Sequence, residues 1–302
     1  MLQRIRAAFA ERSVLEVDTP ALSAAAVSDP HIESIAASLR LDSRREYYLH
    51  TSPEYCMKRL LCDGYPDIYQ VCKVFRDGEA GRNHQPEFTM LEWYRLGYNL
   101  DEIVCDALEI IGIALERSSV GAVRLSYRDA FTSHANFDPF AASVDEIRDR
   151  VGADESLTES VGDDRDAWLD IALDRLVVPL FTQDVFTVLF HYPVSQAALA
   201  RACSSDAAVA DRFEVFLGAK ELANGYVELT EPDEQQRRFS ADQGVRDVSG
   251  NPVRPLDNDF LAAIDSGLPP CAGVAVGLDR LLMIASGLDD IRTVQTFAFR
   301  EP

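Results

Sequence analysis

The sequence predicts one α+β domain around a sheet assembled from distant parts of the chain. Strand-like runs occur in both halves, segments with helical apolar spacing separate them, and no internal repeat or low-complexity tract divides the chain. Its 302 residues are 47% apolar, enough for a substantial core and too many for a disordered chain.

Each element has a local reason. Residues 1–12 place Leu2, Ile5 and Phe9 on one helical face. Residues 13–18 alternate as a strand that Thr19-Pro20 ends. An extended stretch over 47–50 runs into a helix start, with Ser52 as N-cap, Pro53 at the first helical position and Glu54 at the positive helix end. That helix turns Met57, Leu60 and Leu61 inward and stops at Gly64. Strands over 68–75 and 88–95 form an antiparallel hairpin with a long polar loop, 76–87, of a length more often functional than idle. Residues 101–115 return to helical spacing. Over 145–166 nine acids face three arginines, which predicts a solvated, loosely connected helical insertion and no metal site; the insertion as a whole covers about 97–180 of a single domain, 1–302. Strands follow over 185–190, 213–217, 220–229 and 273–276, the last passing through Gly277 into a helix over 279–286.

Charge and cysteine content exclude several functions. With 29 basic and 50 acidic side chains the net charge is −21, which argues against broad adhesion to nucleic acid but not against a local basic site. No run approaches the ~20 apolar residues of a membrane span. The first residues lack the apolar core and cleavage site of a secretory signal, so a soluble cytoplasmic protein is expected. The six cysteines form no C-x-x-C pair, which disfavours a disulfide framework or a structural zinc site.

Three constellations carry chemistry. On the second hairpin strand Phe88, Met90, Glu92 and Tyr94 share a face. A carboxylate and a phenol among apolar groups need partners: either a structural ion pair, or a pocket that neutralises a ligand ammonium. The adjoining loop offers Arg76, Arg82 and His84 to phosphate oxygens. Glu221 and Glu228, seven apart, would point to opposite faces of an unbroken strand. Either a bulge at Asn224-Gly225 or a two-residue hairpin there would bring them together, and the turn already available at Gly218-Ala219 favours the bulge. Paired carboxylates suit Mg²⁺ holding ATP phosphates; two unrelated acids on a solvated strand are the alternative. Finally, a glycine-spaced strand over 273–277 enters a helix whose first turn presents Arg280, an arrangement that favours phosphate yet matches neither the P-loop nor the Rossmann spacing. Together these features describe carboxylate activation by ATP, with Arg76, Arg280 and Mg²⁺ stabilising charge and no covalent protein nucleophile.

The chain resembles the class II aminoacyl-tRNA synthetases. Leu15-Glu16-Val17-Asp18-Thr19-Pro20 is similar to their motif 1, Val74-Phe75-Arg76 through 86–94 to the lysyl form of motif 2, and 273–280 to motif 3. The resemblance implies a six- or seven-stranded antiparallel sheet flanked by helices, and a homodimer formed partly through motif 1. Thr51-Ser52-Pro53-Glu54-Tyr55, His84-Gln85-Pro86-Glu87-Phe88 and Glu221-Leu222-Ala223-Asn224-Gly225 resemble the truncated lysyl-tRNA synthetase paralogues that join (R)-β-lysine to elongation factor P. With motif 1 beginning near Met1, no anticodon-binding domain is expected, and Ala275 stands where lysyl-tRNA synthetases usually carry glycine.

By position, the resemblance implies that Ser52, Pro53, Glu54, Asn224 and Glu228 hold the substrate's amine and carboxylate, Glu92 and Tyr94 the ε-ammonium, and that Ala275 shapes the pocket. Arg76, Asp77, Gly78, His84, Gln85, Glu221, Leu222, Gly277 and Arg280 would surround ATP, with Mg²⁺ on Glu221 and Glu228. The usual F-R-x-E is replaced by Phe75-Arg76-Asp77-Gly78-Glu79, which displaces the adenine-reading glutamate. The expected function is therefore ATP-dependent activation of (R)-β-lysine or lysine and its transfer to elongation factor P. A minimal enzyme charging tRNA or another carrier ranks second, with tRNA disfavoured by the acidic surface, and a non-catalytic amino-acid-binding paralogue ranks third.

Overall fold

The computed structural model describes residues 1–117 and 121–299. The chain forms two compact units, one of Met1–Ser118 with Val227–Pro302 and one of Ser119–Tyr226.

In the first unit, helix α1 (Leu2–Glu11) buries Ile5, Ala8 and Phe9. Phe9 stacks on Tyr69 with ring centroids 4.3 Å apart and meets Trp93 edge-on. Strand β1 (Leu15–Glu16) is shorter than the alternation over 13–18 suggests. Strands β2 (Leu22–Ser23), β3 (Ala36–Leu39) and β4 (Asp42–Leu49) make a small antiparallel sheet with β4 central. Helix α2 (Glu54–Cys62) follows; the Glu54 amide donates to Ser52 Oγ, and the helix gives way at Gly64 with φ +85°. Strands β5 (Ile68–Phe75) and β6 (Glu87–Leu96) form the long-looped hairpin. Helix α3 (Leu100–Ala114) starts with a capping box between Asn99 and Glu102.

The second unit holds β7 (Ala122–Ser126), α4 (Tyr127–Ala130), α5 (Val144–Val151), α6 (Glu155–Val161), α7 (Arg165–Ala172), β8 (Phe186–Phe190), β9 (Arg212–Leu217) and β10 (Lys220–Val227). The acidic stretch is not a loose solvated excursion. Asp154, Asp164 and Ser143 cap its helices, and Ile147, Trp168 and Leu169 are buried with Tyr127, Phe131 and Phe216 in one core. Its acids occupy caps and the outer face, so composition concealed an apolar inner stripe. The chain then returns to the first unit with α8 (Pro232–Val248), α9 (Asn258–Gly267), β11 (Cys271–Gly277) and α10 (Leu278–Ala285).

The strands of the large sheet run β1-β5-β6-β11 in the first unit and β10-β9-β8-β7 in the second. The antiparallel expectation holds for β5-β6-β11 and β8-β9-β10, while β1 and β7 pair parallel with their neighbours. The count is eight, four per unit, rather than six or seven. The difference lies in β7, which buries none of its side chains fully and carries little alternating apolar signal.

Candidate active site

The floor of the site in the first unit is set by strand register. Glu92 on β6 lies opposite Gln70 on β5 and Ala275 on β11, while Tyr94 lies opposite Ile68 and Gly273. Opposed residues share a face, so the small residues of β11 keep it open beside the carboxylate and the phenol. Gly273 fills a specific need. A Cβ there would come within 2.5 Å of both Glu228 Oε1 and Tyr94 Cε1. Tyr94 donates its hydroxyl hydrogen to Glu92 Oε1 at 2.7 Å, and Glu92 Oε2 has no hydrogen-bond partner. The Gln70 amide, also buried, is left without one at either end.

The helix α2 brings a cation to this floor. Lys58, fully buried, lies 2.6 Å from Glu54 Oε1 one helical turn earlier and 2.5 Å from Glu228 Oε2. The Glu228 amide, hydrogen-bonded to the Cys271 carbonyl, anchors that carboxylate beside β11. Leu60 was expected inward, but Lys58 occupies the buried position with Met57 and Leu61. An i,i+4 Glu–Lys pair reads in sequence as an ordinary exposed helix pair, which is why Lys58 was not singled out.

The electrostatics follow from burial. Glu92 is pushed up to about 8, first by burial and then by the Glu54 charge. Burial likewise raises Glu228 to about 8, against the pull of Lys58. For Lys58, burial favours the neutral amine, but the charges of Glu228 and Glu54 outweigh it and hold the ammonium protonated above its ordinary range. Glu54 and Glu228 both reach Lys58, while Glu92 feels the charges of both and only a weaker pull from Lys58. The pocket is short of positive charge, and a ligand ammonium would supply it. Ser52, Pro53, Glu54, Glu92, Tyr94, Glu228 and Ala275 thus belong to one unit, and the structure adds Lys58, Gly273 and Gln70 to them.

The first-unit residues expected at phosphate lie on and beside the β5–β6 loop. Arg280, in the first turn of α10, donates through Nη2 to His84 Nε2 at 3.2 Å. Arg76 lies 3.6 Å from Glu79, its guanidinium 5.3 Å from the Phe88 ring centre, and its buried Nε has no hydrogen-bond partner. That orphaned donor is what an arginine awaiting an anion would show. Asp77 and Gly78 form an exposed turn, in which Asp77 Oδ1 accepts from the Gly78 amide; Glu79 stands beside Arg76. Gln85 is buried, donating to the His84 carbonyl and accepting from the Phe299 amide. A Cβ on Gly277 would meet only Arg280 Cβ, at an ordinary 3.8 Å.

In the second unit the irregularity of β10 falls between Glu221 and Ala223, at buried Leu222, rather than at Asn224-Gly225. The tight turn at Gly218-Ala219 is present, with Gly218 at φ +55°. The bulge changes the strand's parity, so Glu221, Asn224 and Tyr226 share a face with Phe216, Glu214 and Arg212 of β9. Arg212 reaches Glu214 Oε1 at 2.7 Å and Asn224 Oδ1 at 3.3 Å, and lies over the Tyr192 ring. Burial raises Glu214 to about 7; Arg212 opposes the shift and the Glu221 charge adds to it. Glu214 is the carboxylate that the sequence reading missed, because only the β9–β10 register reveals it. Glu228, in contact with Lys58, belongs to the first unit.

The model of the class II tRNA synthetases (D, K and N) matches residues 1–301. The chain belongs to that family. It is 40% identical over 301 residues to the elongation factor P–(R)-beta-lysine ligase of Avibacterium paragallinarum, covering 99% of this chain and 92% of the relative. Ligases of the same name from Salmonella gallinarum (strain 287/91 / NCTC 13346) and Hamiltonella defensa subsp. Acyrthosiphon pisum (strain 5AT) are each 41% identical, covering 98% of this chain and 92% of theirs. No helix among the described residues is long and apolar enough to cross a membrane.

Proposed function

We propose that this protein activates (R)-β-lysine with ATP and joins it to a lysine side chain of elongation factor P. The likeness to three ligases of that name over nearly the whole chain supports the reaction class. The observation that carries the substrate reading is the grouping of half-buried Glu54 with buried Glu92 and Glu228 near Lys58, which favours a small molecule with a spare ammonium.

In this reading the substrate carboxylate attacks the α-phosphorus of ATP, releasing pyrophosphate. The acceptor lysine's uncharged amine then attacks the acyl carbon, AMP leaves, and the amine's surplus proton passes to solvent. Arg76 and Arg280 stabilise charge on the phosphate oxygens, His84 orients Arg280, and Gln85 and Gly277 border the nucleotide. Asp77 and Gly78 act through the backbone turn that they form, and Leu222 through the bulge in β10. Glu92 and Tyr94 receive the side-chain ammonium; Ser52, Pro53 and Glu54 orient the rest of the amino acid, and Ala275 limits its room. Glu221 with Glu214 would hold Mg²⁺, their shared face supplying the oxygen ligands that this ion prefers. When bound, the ion neutralises phosphate charge. A cytoplasmic homodimer joined partly through residues 15–20 completes the reading, and light scattering would test it by giving twice the 33.5 kDa chain mass.

The acceptor decides between this reading and tRNA charging. With ATP and labelled (R)-β-lysine, label should become acid-stable on purified elongation factor P and stay absent from tRNA. Label on tRNA alone would overturn the assignment.

A further inference from the structure

We infer that His191, Cys203 and Asp211 form a zinc-binding clasp in the second unit. The spacing of the cysteines disfavours a zinc site, but folding collects three different ligand types from three segments. One donor atom from each residue lies within 4.8 Å of the others, and His191 Nε2 is 3.7 Å from Asp211 Oδ1. An imidazole nitrogen, a thiolate and a carboxylate make a borderline-soft set that suits Zn²⁺ and is ill matched to Mg²⁺ or Ca²⁺.

The backbone holds these ligands in place. The His191 amide donates to the Arg212 carbonyl at 3.0 Å, Asp211 to Arg201 at 3.0 Å and Cys203 to Val209 at 2.8 Å. Isolated bridges join Pro193 to Val209 and Ala202 to Ala210. Asp211 is buried, and its Oδ2 receives a hydrogen bond from Arg201 Nε at 2.8 Å, which leaves Oδ1 toward His191. An outer partner that orients a ligating carboxylate is a regular feature of zinc sites. Cys203 is half-buried, with Ser205 Oγ 3.2 Å from its sulfur. As the Zn–S bond forms, the thiol proton leaves to solvent, and water completes a tetrahedral shell.

The clasp would fix the segment leading into β9. Between its ligands the chain runs through Gln196, whose carbonyl accepts from Arg212 Nη1 at 2.6 Å, and Asp211 immediately precedes Arg212. Zinc therefore acts here as a brace, and the inference stands whether or not the proposed ligase reaction is correct.

Cobalt alone provides the probe. The full chain, stripped with chelator and titrated with Co²⁺, should develop the visible bands of a tetrahedral ion and a near-ultraviolet thiolate charge-transfer band, both erased by Zn²⁺. Cys203→Ala should remove the thiolate band. His191→Asn, chosen because asparagine tolerates the φ of +60° at that position, should weaken Co²⁺ binding at least about tenfold, and Arg201→Ala by about tenfold. Cys56→Ala and Cys105→Ala should leave the spectra unchanged. Absence of a thiolate band in the parent chain, or spectra that survive both Cys203→Ala and His191→Asn, would overturn the site.

Discussion

Lys58 and Glu228 come from distant parts of the chain and meet at 2.5 Å in the interior of the first unit, with Glu54 on the other side of the ammonium. This contact sets the charge balance around Glu54, Glu92 and Glu228. Replacing Lys58 by methionine would take the Lys58 ammonium from buried Glu228 and half-buried Glu54. The expected loss is about 3–5 kcal/mol in urea unfolding at pH 7. An unchanged midpoint would show that Lys58 does not organise the pocket.

Glu92 gives the pocket a pH dependence. Its carboxyl titrates near 8 in the folded chain, against an ordinary 4.5. A carboxyl whose folded pKa is raised contributes stability below its unfolded value, and that contribution is lost as pH rises through the folded value. The empty protein should therefore lose stability between about pH 5 and 8, and Glu92→Gln should flatten part of that slope. Glu228, also near 8, should retain the remainder. An ammonium ligand prefers the ionised carboxylates, so amino-acid affinity should rise over the same interval with proton release. Calorimetry in two buffers of different ionisation enthalpy checks the release. A parent chain that binds amino acid with no proton release would contradict the assigned state of these groups.

Gly273 should be intolerant of a methyl group. In Gly273→Ala the new Cβ would displace Glu228 or Tyr94, so amino-acid KM should rise at least about tenfold while the KM for ATP changes little. Exchange kinetics separate the two, and an equal rise in both would point to a general distortion.

Much of the fold was legible because its signals are local. The stripe of Ile5 and Phe9, the helix start at Ser52 to Glu54 and the alternation over 68–75 each follow from neighbours in sequence. Glu92 and Tyr94 were legible for the same reason: alternation alone puts them on one face. Lys58 was hidden because an i,i+4 Glu–Lys pair looks alike on a buried or an exposed face. Glu214 was hidden because its relation to Glu221 depends on a cross-strand register that a bulge at Leu222 resets. The edge strand Ala122–Ser126 was missed because exposed edges lack an apolar pattern, and the inner stripe around Trp168 because acids outnumber it.

Glu214 and Glu221 make a joint prediction. Glu221→Gln and Glu214→Gln should each lower amino-acid activation and move its Mg²⁺ dependence to higher concentration. A response to Mg²⁺ unchanged in both variants would remove the pair from the metal reading, whereas a change in Glu221→Gln alone would return it to Glu221 with another partner.

Amino-acid-dependent exchange of labelled pyrophosphate into ATP tests the central claim most directly. The pocket's surplus of carboxylates predicts rapid exchange with (R)-β-lysine and a loss of at least about a hundredfold in kcat/KM with norleucine, which keeps the chain of lysine but lacks its terminal ammonium. Comparable exchange with norleucine, or none with any diamino acid, would contradict the account.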